Sequence, residues 1–248
     1  MLLLIGGFAG ALNAVVGGGT YFTYPVLILA GLPPLEANTT NKVAIWFGSL
    51  GGVGGYRREI KNNSGPLVWT SAIITGIGSI GGSLLLLVMS TATFNTVLPW
   101  LMLLATLLFA FGRHVTKWLE GSLPESGHIS SAAHLASYAG LFVIGVYGGF
   151  FGAGMSLLVM ALYELMSIHN VHQINGLKAV VSLAVNAVSA LTFIVIGGIA
   201  WFAAIALMIG ALAGGYWCAA LAKRLPQQWV RCFIILYSAG MTLRFFVI

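Results

Sequence analysis

Val16-Gly17-Gly18-Gly19-Thr20-Tyr21-Phe22-Thr23-Tyr24-Pro25 lies inside a long apolar run, and Phe150-Phe151-Gly152-Ala153-Gly154-Met155-Ser156 echoes it in the second half. Each glycine costs a helix roughly 1 kcal/mol against alanine and leaves backbone groups exposed. Three in a row break the helix. Lipid tolerates such a break only where the irregular backbone is buried in protein or lines a cavity. The two stretches therefore read as broken helices flanking a site.

Composition places the breaks in a membrane. The 248 residues are 59% hydrophobic and only 6% charged, with a mean hydropathy of +0.98. A soluble domain is about 25% charged, so no soluble domain of any size fits beside the spans. The net charge of +6 comes from 11 Lys and Arg against five Glu, with no Asp. In a soluble chain that balance would suggest nucleic acid. Here the basic residues fall mostly between apolar runs and read as topology determinants, with the lipid bilayer as partner and no nucleic acid. Cys218 and Cys232 read as reduced packing residues. No spacing suggests a metal site or a cofactor, and no catalytic constellation suggests an enzyme. The start of the chain is apolar from Leu2 without a basic segment before it, which argues against a cleaved signal peptide.

The longest polar break, Arg113 to His134, divides the chain into a first membrane repeat (1–115), a cytoplasmic linker (116–134) and a second membrane repeat (135–248). Three anchors recur in the same order: Gly17-x-Gly19 with Gly152-x-Gly154, Thr40-Asn41-Lys42 with Gly176-Leu177-Lys178, and Gly78-x-x-Gly81-Gly82 with Gly210-x-x-x-Gly214-Gly215. Internal repeats of this kind are common in secondary transporters, where the substrate site lies between the repeats.

The apolar legs beside each glycine break are short, about fifteen and twelve residues in the first half and about seventeen and twelve in the second; runs of 10–14 suit re-entrant segments better than spans. If each repeat is a hairpin returning to its own side, followed by three spans, then Arg57, Arg58, Lys61, Arg113, Lys117, Lys223 and Arg224 all fall on one side. That is the cytoplasmic side by the positive-inside rule. The odd number of crossings makes the repeats inverted. The expected fold is an all-α polytopic membrane protein of two inverted repeats, each a broken, re-entrant helix hairpin plus three transmembrane helices. Counting both hairpin legs, that is ten helical pieces. Gly6-x-x-x-Gly10, Gly48-x-x-x-Gly52, Gly51-x-x-x-Gly55, Gly78-x-x-x-Gly82 and Gly210-x-x-x-Gly214 read as helix-packing seams. Trp69, Trp100, Trp118, Trp201 and Trp229 suit interfacial anchoring.

Lys42 follows Asn38-Thr39-Thr40-Asn41, which reads as a capped helix start. Free N–H groups and the helix dipole make such a place an anion site, and an ammonium one turn in adds a full charge. Lys178 stands in the same relation to Asn175 and Gly176. The bland reading is a lysine snorkelling from a helix end. The tips at Gly17, Gly18, Gly19, Gly152 and Gly154 can form anion nests, with Thr20, Thr23, Asn13 and Ser156 as neutral donors. Donors and cations outnumber acids, which fits a small oxyanion rather than a metal cation. Glu36, Glu164 and His169 are the available proton carriers, with interfacial carboxylates as the plain alternative.

The residues also resemble a known family. Gly17-Gly18-Gly19-Thr20-x-x-Thr23-x-Pro25-x-Leu27, Gly31-Leu32-Pro33-Pro34-x-x-Ala37-Asn38-x-Thr40-Asn41, Gly48-Ser49-Leu50 and Gly55-Tyr56-Arg57-Arg58-Glu59 are similar to the TauE/SafE sulfite exporter family, as are Asn175-Gly176-Leu177-Lys178 and the Gly214-Gly215 seam. The resemblance covers nearly the whole chain. It implies a multi-pass permease of the bacterial inner membrane for sulfite, thiosulfate or small organosulfonates. The residues alone say only small anion, and they leave a passive anion channel open.

Overall fold

The structure is a computed structural model that describes residues 1–15, 18–62, 65–122, 131–166, 168, 170–222 and 227–247. Every regular element among them is helical: α1 (Leu2–Val15), α2 (Gly19–Leu29), α3 (Pro34–Gly55), α4 (Arg57–Asn62), α5 (Pro66–Val88), α6 (Thr91–Ser122), α7 (Ser131–Phe150), α8 (Met155–Leu165), α9 (Val171–Ile196), α10 (Trp201–Ala222) and α11 (Gln227–Val247). Three segments, Pro66–Val88, Thr91–Leu108 and Gln173–Ile196, are long and apolar enough to cross a membrane.

Both helix breaks are present. α1 and α2 have 14 and 11 residues and pack on each other across the first break. α7 and α8 have 20 and 11 residues and do the same across the second. Gly152 (φ +79°) and Gly154 (φ +76°) take the left-handed conformation that glycine enters without steric cost.

Several elements differ from the sequence reading. The polar break after Gly55 holds α4 rather than a loop, so the described residues contain one helix beyond the expected ten. α6 continues past Phe111 into the polar segment, and α7 starts at Ser131, ahead of the apolar run at Leu135. Charged residues are good helix formers once a neighbouring span has supplied the nucleus. α3 starts at Pro34, one turn before Asn38, because proline suits the first helical position.

Small residues decide which helices touch. α1 lies on α10: a Cβ at Gly6 or Gly10 would strike the Leu207 or Ala211 carbonyl, and one at Gly210 or Gly214 would strike that of Leu3 or Gly7. α7 lies on α5 in the same manner, with Gly145 and Gly149 against Thr75 and Ser79, and Gly78 and Gly82 against Phe142 and Val146. Each broken pair thus packs on a helix of the other half. The remaining contacts exchange in step: α3 meets α10 as α9 meets α5, while α3–α9 and α6–α11 cross the middle. Gly51 continues the α3–α10 seam, where its Cβ would lie 3.0 Å from the Gly215 carbonyl carbon. The main apolar core joins α2, α3, α6 and α7 through Tyr24, Leu27, Ala44, Phe94, Met102 and Phe150. Trp69, Trp100 and Trp201 are exposed, as anchors require; the side chains of Trp118 and Trp229 lie outside the described residues.

Candidate functional site

Because α3 begins at Pro34, Asn38 to Lys42 do not cap a helix. They lie inside it, with Pro33 at the N-cap position making no side-chain cap bond. The helix start with free N–H groups expected at Lys42 is therefore replaced by side chains that brace α3 against other elements. Asn38, Thr39, Thr40, Asn41 and Lys42 are all buried.

The end of α7 explains this. The last carbonyls of a helix have no partner within it. Past the break, the Gly152 N–H turns back to the Tyr147 carbonyl at 3.0 Å. That leaves Gly148, Gly149 and Phe150 needing donors from elsewhere. Lys42 Nζ donates to the Gly148 carbonyl. Ser83 Oγ reaches Gly149 O at 3.4 Å, and Asn38 Nδ2 donates to Phe150 O at 2.9 Å. A cation at a helix C-terminus is also favoured by the dipole. A Cβ at Gly152 would lie only 2.5 Å from Lys42 Nζ, so glycine is what lets the lysine in.

The same stretch of α3 holds two more elements. Thr23 Oγ1 pairs with Asn41 Oδ1 and with the Gly19 carbonyl at 3.0 Å, tying α2 in. Thr39 Oγ1 donates to Gly198 O, and Thr40 Oγ1 accepts from the Ala200 N–H at 3.0 Å, tying in the α9–α10 connection. Two polar atoms in this stretch, Asn38 Oδ1 and Asn41 Nδ2, are buried without a partner among the described residues. An unsatisfied buried group costs about 1–3 kcal/mol, which marks a place where a polar ligand would be welcome.

Lys178 repeats the placement with a different outcome. α9 starts at Val171, so Asn175, Gly176 and Lys178 are likewise inside a helix rather than at its cap. Gly176 lies against α4, where its Cβ would be 3.3 Å from the Ile60 nitrogen. Lys178 is buried and lines a cavity of about 10 Å³ with Asn13, Ser49, Tyr56 and Ser182, room for about one water. Tyr56 follows the end of α3, where burial first and the Glu59 charge second raise its pKa above the ordinary tyrosine value. Its hydroxyl therefore keeps its proton. Lys42 thus meets the broken pair of the second half, and Lys178 shares a cavity with Asn13 of α1 in the first.

Other expected site residues scatter. Gly18, Gly19 and Thr20 are buried at the start of α2, where a Gly19 Cβ would lie 2.9 Å from the Ala9 carbonyl oxygen. Gly154 lies beside Tyr21, whose hydroxyl would be 3.5 Å from its Cβ. Glu36, in the first turn of α3, lines a separate cavity of about 240 Å³ with Thr39, Gly197 and Gly198. Glu164 is partly buried in the last turn of α8. Gly17 and His169 lie outside the described residues. Among the described residues no three His, Cys, Asp or Glu side chains gather.

The family model described as sulfite exporter TauE/SafE matches residues 2–245. The chain belongs to the TauE/SafE sulfite exporter family. Its relatives carry transporter names. It is 28% identical to a "Probable membrane transporter protein" of Haemophilus influenzae over 98% of this chain and 92% of that one. It is 23% identical to the "Probable membrane transporter protein YfcA" of Escherichia coli K12, over 98% and 87%. It is 22% identical to the "Probable membrane transporter protein ORF9" of a Sinorhizobium species, over 95% and 87%. No solved structure matches the chain.

In this TauE/SafE chain, sequence reasoning missed several polar residues within the bundle. Ser49 accepts from Asn186 Nδ2 at 2.9 Å, and Ser79 pairs with Ser189 at 2.8 Å. The available signal was single polar residues at helical spacing in otherwise apolar runs. The carbonyls of Gly148 and Phe150 carry no residue signature. Gly145-x-x-x-Gly149 was visible and answers Gly6-x-x-x-Gly10.

Proposed function

We propose that this TauE/SafE protein is a secondary transporter that moves a small sulfur oxyanion, sulfite or an organosulfonate, across the bacterial inner membrane, coupled to the proton gradient. One observation carries the reading: Lys42 and Lys178 sit at matching places in the two halves, buried in the bundle, each beside the broken helix pair of the opposite half. Intramembrane cations are expensive and mark ion or substrate pathways. The family supports the sulfur oxyanion, and the lysines with their amide and hydroxyl neighbours support an anion of any kind. Exchange of helix contacts between the halves, with the distribution of basic residues, supports two inverted repeats in a multi-pass arrangement. Alternating access then rocks one repeat against the other, and Lys42 trades the Gly148 carbonyl for a substrate oxygen as α7 and α8 move. Gly18, Gly19, Thr20, Gly152 and Gly154 shape the tips that move, with Glu36 and Glu164 as proton carriers.

The test is sulfite flux into proteoliposomes. Saturable uptake that responds to an imposed pH gradient and disappears in Lys42→Met and Lys178→Met is the expected result. Unchanged flux in both variants removes the assignment. Flux that does not saturate and ignores the pH gradient identifies a passive channel. Thermal stabilisation by sulfite or a sulfonate, without a chloride shift, identifies the substrate class.

A further inference from the structure

Four polar residues of α9, Lys178, Ser182, Asn186 and Ser189, recur at intervals of four, four and three, so they form one stripe. All four are buried. At one end Lys178 and Ser182 line the small cavity with Asn13 and Ser49. In the middle, two amides converge on one hydroxyl: Asn186 Nδ2 donates to Ser49 Oγ at 2.9 Å and Asn13 Nδ2 at 3.4 Å. Ser49 Oγ donates its own O–H to the Ile45 carbonyl at 3.1 Å. A hydroxyl has one donor and two acceptor sites, so Ser49 is saturated, while each amide keeps a second N–H.

The lining itself is rich in donors, and the nearby carboxylate of Glu59 acts on it through Tyr56. Nζ, two amides and the hydroxyls of Ser49, Ser182 and Tyr56 lie at or beside the cavity; Glu59 is packed against Gly176 outside that lining. The Asn13 bond is the longer of the two, and it joins α1 of the first broken pair to α3. Drawing α1 back breaks it first, widening a cavity that now has room for about one water and releasing donors next to Lys178. Interhelical hydrogen bonds of this kind are weak in membrane bundles, so they open readily.

We propose that Asn13, Asn186 and Ser182 are the specificity-determining ligands of the Lys178 site, with Ser49 the internal stand-in for a substrate oxygen. The ligand class is a compact XO₃-type oxyanion, whose several oxygens accept from both amides and Ser182 while Lys178 neutralises the charge. The inference rests on the transport reading above and assigns the residues that recognise the anion.

The experiment compares wild type with Asn186→Leu, Asn186→Asp and Ser182→Ala in proteoliposomes and by calorimetric titration with sulfite. Thermal melting of each variant is recorded alongside. Asn186→Asp is nearly isosteric and puts a carboxylate where the anion would bind, so it separates binding from folding. The expected result is a rise in KM and in Kd for sulfite of about tenfold for Asn186→Leu and more for Asn186→Asp, with melting near that of wild type. Unchanged KM and Kd in folded Asn186→Asp and Ser182→Ala, while wild type saturates and Lys178→Met is inactive, overturns this inference and leaves the transport reading standing. Wild type that neither binds nor transports sulfite or methanesulfonate overturns both.

Discussion

Lys42 and Lys178 each lie inside the helix that follows a broken pair, yet their surroundings differ. Lys42 closes the open end of α7, bonded to Gly148 O and hard against Gly152, with Asn38 finishing the same helix end. Lys178 borders a cavity with Asn13, Ser49 and Ser182. The first neighbourhood is a bonded helix end and the second is a cavity wall. One sequence pattern thus adopts two packings within a single chain. The difference also separates two settings of a buried lysine. At the helix end, the ammonium meets a backbone carbonyl. At the cavity, it shares the wall with amide and hydroxyl side chains.

The most damaging test strikes the seams that make the halves comparable. Gly82→Leu and Gly214→Leu each force a side chain into a facing backbone carbonyl, at Val146 or Gly7. Each is expected to cost about 3 kcal/mol or more and to abolish folded protein in size-exclusion chromatography. Equal loss on both sides supports equivalent seams, and survival of one breaks the equivalence.

Next come the lysines. Lys42→Met and Lys178→Met are both expected to lower sulfite flux about 100-fold, the loss of a charged hydrogen bond near 3 kcal/mol. Arginine separates them. Lys42→Arg has no room beside Gly148 and Gly152 and loses as much as Lys42→Met, whereas Lys178→Arg keeps part of the flux because a cavity adjoins it.

A smaller effect is expected for Asn38→Leu, which leaves the Phe150 carbonyl unpaired and lowers stability by about 1–2 kcal/mol in thermal melting. Leaving flux aside, it sharpens the structural half of the comparison. Accessibility checks the other half. In a background lacking Cys218 and Cys232, Ser182→Cys should react with a small thiosulfonate about tenfold faster than Thr23→Cys, by its position at the cavity. Smallest of all, Gly31→Ala places a Cβ in open space at φ +91° and costs about 1 kcal/mol through backbone strain alone.

Much of the scaffold was legible because its causes are local. Glycine runs break helices: α2 restarts after Gly18, and Gly152–Gly154 stand between α7 and α8. Glycines four apart allow close approach, and Gly6, Gly10, Gly78, Gly82, Gly210 and Gly214 all sit at seams. The boundary at Pro34 was misplaced because Asn38-Thr39-Thr40 has the composition of a cap, and only tertiary partners show that these side chains point to other elements. Their acceptors, the carbonyls of Gly148, Phe150 and Gly198, belong to the backbone and leave no trace in residue identity. The lysines could be picked out because an intramembrane charge is rare. The amides at Asn13 and Asn186 meeting on Ser49 could not, since three residues on three helices converge only after folding.

The reciprocal seating of each broken pair on the other half has a consequence for biosynthesis. α1 packs on α10, which begins at Trp201. A ribosome adding ~5–20 residues per second makes α10 only ~10–40 s after α1 has emerged. Throughout that interval the first pair sits in the bilayer with its glycine face uncovered. The chain therefore closes last where it began, and a stop anywhere before α10 leaves an unsealed fragment for membrane quality control to find.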